Sequence, residues 1–453
     1  MIFISQRIKN NFRKIRGDFD MNKTKKNARG ITLIALVITT IVLLILAGVA
    51  IAALSGDNGI LTRAKEAKEK TAQAQKEEEK TLSNMENMLG VYNFKNVNKS
   101  DTNPGETVPE NSSVLENDAN EGIVIKDRNN NEWVWVEVPK TTVFSGLTID
   151  TSKELTEQNY NDIKNKLINY AATYRGLYSD EWYAMDGNTL VKASTSNLTD
   201  EQKKLKNGCG LTYDEYKMAY QKMLKSVYTY GGFWMGRYEA GIEGSIENLA
   251  KSRNSHKDIE IGISPKAIIQ KDAIPYNYIY CSEAQALAKE ITPDNNYSSS
   301  LMFGIQWDLI CKFLEMKSEL TIADINSDST IWGNYNNAKI ENITVGKYAI
   351  HNDSLGAWTK IANSYVKPDS GNDYRTLLST GISDYTKKMN IYDLAGNEWE
   401  WTLEKTSNEI YPCSHRGGSF YDLGSSSAVS YHGYNGVTYS GNAVSFRPVL
   451  CMN

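Results

Sequence analysis

The chain predicts an α+β domain preceded by a long N-terminal helix, on three observations. An uncharged apolar run occupies Ile31 to Leu54, short runs rich in Trp and Val recur from Glu132 to Leu450, and polar helical stretches lie between those runs. A length of 453 residues with 41% hydrophobic side chains is ample for a core, and two or three structural units are expected. The formal charge of -4 supplies no basic surface to meet phosphates, so no nucleic-acid partner is expected.

Lys23, Lys25, Lys26 and Arg29 precede the apolar run. At 1.5 Å per residue the run is about 36 Å long, enough to cross a bilayer with some tilt. Residues 1–30 then form a leader and basic cytoplasmic segment, and residues 31–54 a single transmembrane helix. The basic flank keeps the N-terminus inside and the C-terminal domain outside, so the expected location is the cell membrane or surface. A cleaved secretory signal fits less well, since a charged helical segment follows where small residues would mark a cleavage site. Residues 55–92, rich in Ala, Lys, Glu and Gln, predict a helical stalk, with Lys65 four residues from Glu69 and Glu66 four from Lys70. Residues 93–121 hold little apolar content and predict a flexible linker, which leaves 122–453 as the folded domain.

Within the domain, Trp133, Trp135 and Glu137 alternate with Val134, Val136 and Val138 until Pro139, the period of a strand. Further strand-like runs are Gly232 to Tyr238, Asn397 to Trp401 and Ala443 to Leu450. Helical stretches are expected at Glu154 to Ala171, Asp200 to Leu205 with Tyr213 to Leu224, Ser282 to Glu290, and Phe303 to Met316. Residues 140–230 stand out as an elaboration.

Gly396, Gly417 and Gly418 suit tight turns. Trp399 and Trp401 alternate with Glu398 and Glu400, so one pair should enter the core while the other meets polar surroundings. Arg416 and Arg447 are expected to be structural, Arg447 by bridging loop carbonyls or by pairing with Asp393 or a nearby glutamate. Asp393, Asn397, Glu398 and Glu400 could supply oxygen ligands to a structural calcium, or cap turns instead. Cys209, Cys281, Cys311, Cys413 and Cys451 show no CxxC spacing. Cys281 and Cys311 fit buried apolar positions or a disulfide, and a link from Cys413 to Cys451 is chemically permitted outside the cell. His256, His351, His415 and His432 form no HExxH or HxH pair, so no zinc site is expected.

The stretch from Tyr411 to Asn442 sets aromatics among Ser and Gly, the composition of antibody contact loops. Phe420, Tyr421, Asp422, Ser425, Ser427, Tyr431, His432, Tyr434 and Asn435 are therefore expected to form an outward-facing surface for a protein or glycan ligand.

Two resemblances add to this. The sequence RGITLIALVITTIVLLILAG is similar to the processing signal of type IV prepilins, which implies cleavage after Gly30, a mature start at Ile31 and a pilin-like homo-oligomer or filament. Ala35 stands where that family carries glutamate, and Met21 gives a more usual leader than Met1. GGFWMGRYEAG, CSEAQALAKE, LMFGIQWDLICKF, LAGNEWEWT, RGGSF and SFRPVL, in that order, resemble the formylglycine-generating enzyme (sulfatase-modifying factor) family, which implies a C-type lectin-like fold. Oxidising members bind copper through two cysteines after RGGS, whereas Phe420 to Ser427 contain none here, so no enzyme is expected. The terminal FRPVL is also similar to target proteins of diversity-generating retroelements, which implies a diversified binding surface. The resulting expectation is a surface-displayed, non-catalytic ligand-binding protein without a cofactor. A minor pilin with a structural head, or a formylglycine-generating-type metal-dependent oxidoreductase, is the alternative.

Overall fold

The computed structural model describes residues 38–47, 65–78, 102, 104–176, 178–184, 190, 208–244 and 265–453. They belong to two units, Met1–Leu82 and Ser83–Asn453.

The first unit contributes two helices, α1 (38–47) and α2 (65–78), whose side chains are exposed. Along α2 the expected pairing of Lys65 with Glu69 is present at 4.0 Å, and both groups are so exposed that the pair adds little. Helix α1 corresponds to about 15 Å of rise, half the thickness of a hydrocarbon core. Among the described residues no helix is long and apolar enough to cross a membrane. That finding corrects the expected transmembrane helix, pilin-like stalk and single-pass topology. Gly30 and Ile31, with the rest of the expected processing site, lie outside the described residues.

The second unit is a mixed α+β domain. Its largest sheet begins with β1 (Ser113–Glu116), β2 (Val124–Lys126) and β3 (Glu132–Glu137), joined as antiparallel neighbours. Helix α3 (Lys140–Val143) follows at once, then α4 (Glu157–Tyr170), α5 (Ala172–Arg175) and α6 (Tyr213–Tyr230). β4 (Gly232–Gly236) returns to pair with β3. Next come α7 (Cys281–Glu290), β5 (Tyr297–Leu301), α8 (Gly304–Lys317) and α9 (Ile322–Asn326). A second sheet of four strands holds β6 (Trp399–Lys405), β7 (Cys413–Arg416), β8 (Gly433–Asn435) and β9 (Val444–Phe446), in the order β8-β7-β6-β9 with β6 and β9 parallel. Finally β10 (Pro448–Met452) inserts between β4 and β5 of the first sheet.

The alternation of β3 decides how the layers form. Val134 and Val136 join the main core with Phe233, Trp307 and Val449, while Trp133 and Trp135 join a second core with Trp234, Tyr297 and Leu450. Trp135 stands opposite Trp234 in the register, with ring centroids 5.2 Å apart and nearly edge to face. Both faces of this sheet are therefore covered.

The expected linker 93–121 is built into this domain from residue 104 onward. Thr107 is buried, its hydroxyl and carbonyl accept the indole hydrogen of Trp234, and β1 pairs with β2. Helices α4 and α6 start on reciprocal caps, Thr156 with Asn159 and Thr212 with Glu215, and α6 ends at Gly231 with φ 74°. Residues 200–205, expected to be helical, lie outside the described residues.

Candidate functional site

The facing sides of α4 and α6, with the segment from Arg175 to Ala184, enclose a cleft of about 910 Å³. Helix α4 supplies Glu157, Tyr160, Asn161, Lys164 and Ile168, and α6 supplies Tyr213, Tyr216, Lys217, Tyr220, Gln221 and Leu224. In both cases the spacing is three or four residues, so each set is one helix face. Tyr178 and Tyr183 complete an aromatic lining. Tyr216 and Tyr220 lie parallel at 6.1 Å, and Phe303 meets Tyr220 edge-on at 4.8 Å from beneath. Burial raises the pKa of Tyr216 and Tyr220 well above the ordinary phenol range, so both remain neutral hydrogen-bond donors. Among the described residues the hydroxyls of Tyr160, Tyr216 and Tyr220 make no hydrogen bond within the protein.

The charges at the rim are paired with one another. Lys164 lies 3.4 Å from Glu181, Lys217 lies 2.6 Å from Glu157, and Gln221 donates to Glu157 at 3.3 Å. The cleft thus offers a ligand aromatic faces, phenols and one carboxamide, Asn161, with its formal charges already satisfied.

A buried ion cluster forms the inner wall. Arg175 reaches Asp180 at 3.0 Å, Asp308 at 3.1 Å and Glu404 at 3.2 Å. Arg416 bridges the same Asp308 at 2.9 Å and Glu404 at 3.1 Å. His432 Nδ1 stands 2.9 Å from Glu404, its Nε2 donates to the Tyr174 carbonyl at 3.1 Å, and Tyr178 stacks on its ring at 4.0 Å. Burial alone would raise the Glu404 carboxyl, yet Arg416, His432 and Arg175 outweigh it and hold the group at about 2. Burial pushes Asp180 up to about 6, with Arg175 opposing. Its carboxylate accepts three hydrogen bonds: Gly304 N donates to Oδ1 at 2.7 Å and Ile305 N to Oδ2 at 3.3 Å, which caps α8, and Arg175 also donates to Oδ2.

A second acidic cluster lies outside the cleft. Arg447 grips Glu400 through Nε at 3.0 Å and Nη2 at 2.6 Å and donates to the carbonyls of Gly236 and Tyr392, which joins both expected structural roles in one side chain. Glu239 accepts from Asn397 Nδ2 at 2.9 Å and Glu398 N at 3.1 Å. Burial, then Asp393, Glu398 and Glu400, raise its pKa well above the carboxylate range. The four residues named for calcium all have protein partners: Asp393 accepts from Gly381 N and Thr386, Asn397 bonds Asn334, Glu398 accepts from Asn277, and Glu400 holds Arg447. Among the described residues no group of three His, Cys, Asp or Glu could hold a metal ion.

The expected ligand-binding residues divide. Tyr421, Ser425, Tyr431 and Tyr434 are exposed, and Asp422, His432 and Asn435 are partly buried. Tyr434 lies 6.5 Å from the exposed Tyr411, and Tyr431 lies 6.1 Å from Trp399. Phe420 and Ser427 are buried, so neither faces a ligand. Phe420 follows the Gly417 and Gly418 turn, with φ 99° and 77°, and its N–H donates to Asn397 O. Asp422 accepts from the Trp399 indole at 2.9 Å, and Asn435 Nδ2 bonds His415 Nε2 at 2.9 Å. His432 belongs to the ion cluster rather than to the surface.

Trp401 is sealed in the core against the Ile279 carbonyl, and every residue of β6 is buried. Glu398 and Glu400 therefore occupy an interior polar layer rather than a wet face. All five cysteines are buried, with no disulfide among them.

The cleft residues were missed because they fall in the segment set aside as an elaboration, 140–230. The signal was present: Tyr213, Tyr216 and Tyr220 recur at helical spacing beside Lys217 and Gln221.

Comparison with known proteins leaves the family open. No family model matches the chain, and no curated protein matches it. The crystal structure of CarF aligns at 11% identity over 49% of this chain and 87% of that one, with a TM-score of 0.26, too slight a likeness to carry an argument. The expected membership in the formylglycine-generating enzyme family, its C-type lectin-like fold, the prepilin likeness and the retroelement-diversified surface are accordingly withdrawn. The surface-displayed and pilin-anchored function goes with them, since the described helices give it no membrane span.

Proposed function

We propose that the domain is a non-catalytic binding module that takes a neutral, polyhydroxylated ligand, a saccharide, in the cleft between α4 and α6. The observation that carries this reading is the cleft's tyrosine lining within a rim whose charges cancel in pairs. A sugar ring presents C–H faces that pack on aromatic rings and hydroxyls that pair with phenols and a carboxamide. A charged ligand would have to break the Lys164–Glu181 or Lys217–Glu157 pair on entry, which costs affinity.

Binding is favoured over turnover by the state of Asp180. It is the lining carboxylate whose pKa is moved toward neutrality, but its oxygens already accept from the α8 N-terminus and Arg175, which favour the ionised form and oppose its carrying a substrate proton. The reading needs no metal or cofactor.

Titration calorimetry with neutral oligosaccharides tests it. Saturable binding is expected, and Tyr160→Ala and Tyr213→Ala should each weaken it about tenfold, near 1.4 kcal/mol. Raising the salt from about 50 to 500 mM should move the Kd less than about twofold, because no ligand charge is screened. Chelator treatment should leave the Kd unchanged. Failure of every neutral saccharide to saturate the cleft, or release of a cleaved product, overturns the reading.

A further inference from the structure

The arginines Arg175, Arg237, Arg416 and Arg447, all partly or fully buried, are each paired with a carboxylate. Arg375 departs from that pattern. It is partly buried, yet among the described residues its guanidinium forms no ion pair and no hydrogen bond. Its Nε is buried without an acceptor, whereas its two terminal nitrogens are open. Neither Asp373, two residues before it, nor Asp422 forms an ion pair with it; Asp422 instead accepts from the Trp399 indole and Ser419 through Oδ2.

The side chain is held all the same. The strands Lys347–Ile350 and Thr376–Leu378 are antiparallel neighbours with Ile350 opposite Thr376, and one step further His351 N donates to Arg375 O at 2.9 Å. His351 and Arg375 are thus cross-strand neighbours. Both reach the partly exposed ring of Tyr421: the Arg375 guanidinium carbon lies 3.9 Å from its centroid, and the His351 ring meets it nearly edge-on at 5.1 Å. Tyr374 adds a second ring, 5.1 Å from the same guanidinium. His351 Nδ1 is buried without a partner as well.

We propose that Arg375 anchors a second ligand site, which takes the carboxylate of a small organic acid end-on through the two terminal nitrogens, with Tyr421 as the platform beneath. Aromatic faces attract a guanidinium and fix its plane, but they satisfy none of the N–H donors that lie in that plane. The charge is therefore partly desolvated and unpaired, a deficit that an anion at the open edge offsets. A carboxylate presents two coplanar oxygens that match the two N–H groups, which a single carbonyl or hydroxyl does not. None of Arg375, His351, Tyr374 and Tyr421 lines the cleft between α4 and α6, so this site stands independently of the saccharide reading.

The test titrates the full chain, its arginines labelled with 15N, with succinate, with the neutral isostere succinamide and with inorganic phosphate at constant ionic strength. One guanidinium resonance, missing from the Arg375→Met protein, should shift saturably with succinate at a Kd on the order of 1 mM and stay in place with succinamide. Arg375→Lys keeps the charge without the fork and should weaken succinate about fivefold. Tyr421→Ser should weaken it about threefold by removing the platform, and Tyr434→Ser should leave it unchanged. No saturation by succinate, an equal response to succinamide, or tighter binding of phosphate than of succinate overturns the proposal, and the titrations of the unmutated chain decide this even if a variant fails to fold.

Discussion

The two buried ion clusters both set arginine among buried carboxylates, yet a glutamate in each is shifted in the opposite direction. Beneath the cleft, Arg175 and Arg416 stand among Asp180, Asp308, Glu404 and His432, and Glu404 is held at about 2. At the second cluster Arg447 alone meets Glu400, with Asp393, Glu398 and Glu239 close by, and Glu239 is driven well above the carboxylate range. Burial penalises an ionised carboxylate in both places. What separates them is the supply of guanidinium: where it nearly matches the acids, charge persists, and where it falls short, protons stay bound.

The largest test of that difference removes a cation from the balanced cluster. Arg416→Met takes from Asp308 and from Glu404 one of the two guanidinium groups that each holds, and urea unfolding should show a loss of about 3–5 kcal/mol. Glu404→Gln should cost less, about 2 kcal/mol at neutral pH. Its sign with pH is fixed by the depressed folded pKa. The stability supplied by Glu404 is present above the ordinary carboxylate pKa and lost as pH falls toward about 2, so the gap between wild type and variant should narrow over that window.

Glu239→Gln should behave oppositely and weakly, within about 1 kcal/mol of wild type at mildly acidic pH. A raised folded pKa gives a contribution present below the unfolded value and lost as pH rises, so the variant should gain on wild type as the buffer becomes alkaline. A variant that loses stability in step with rising pH would mean that Glu239 is ionised and that the two clusters do not differ. The smallest effect is expected at the exposed aromatic surface, where Tyr434→Ser should change stability by no more than about 0.5 kcal/mol and leave saccharide binding in the cleft unaltered.

Local pattern was enough for β3, for α4, α7 and α8 to within a few residues, and for the role of Arg447, since each follows from side-chain period or from a guanidinium's need for partners. The cleft did not follow. Tyr213, Tyr216 and Tyr220 share a helix face whether that face is packed shut or left as a groove, and the spacing of α6 from α4 decides which. The ion cluster is still less local: Arg175 meets Glu404 across most of the domain. Phe420 looked like its exposed neighbour Tyr421, but the turn at Gly417 and Gly418 sends the two rings in different directions, and only the folded turn reveals that. The polar composition of residues 104–121 hid a strand because β1 is stabilised by pairing with β2 rather than by its own apolar content.

The order in which the strands are synthesised differs from the order in which they pair. Residues 448–452 leave the ribosome after every partner they join, yet β10 lies inside the large sheet, between β4 and β5. Until they emerge, the nascent domain carries two raw strand edges facing a gap, the kind of surface that chaperones hold and that neighbouring chains invade. Completion of this fold thus waits for the closing strand rather than for the helices that line the cleft.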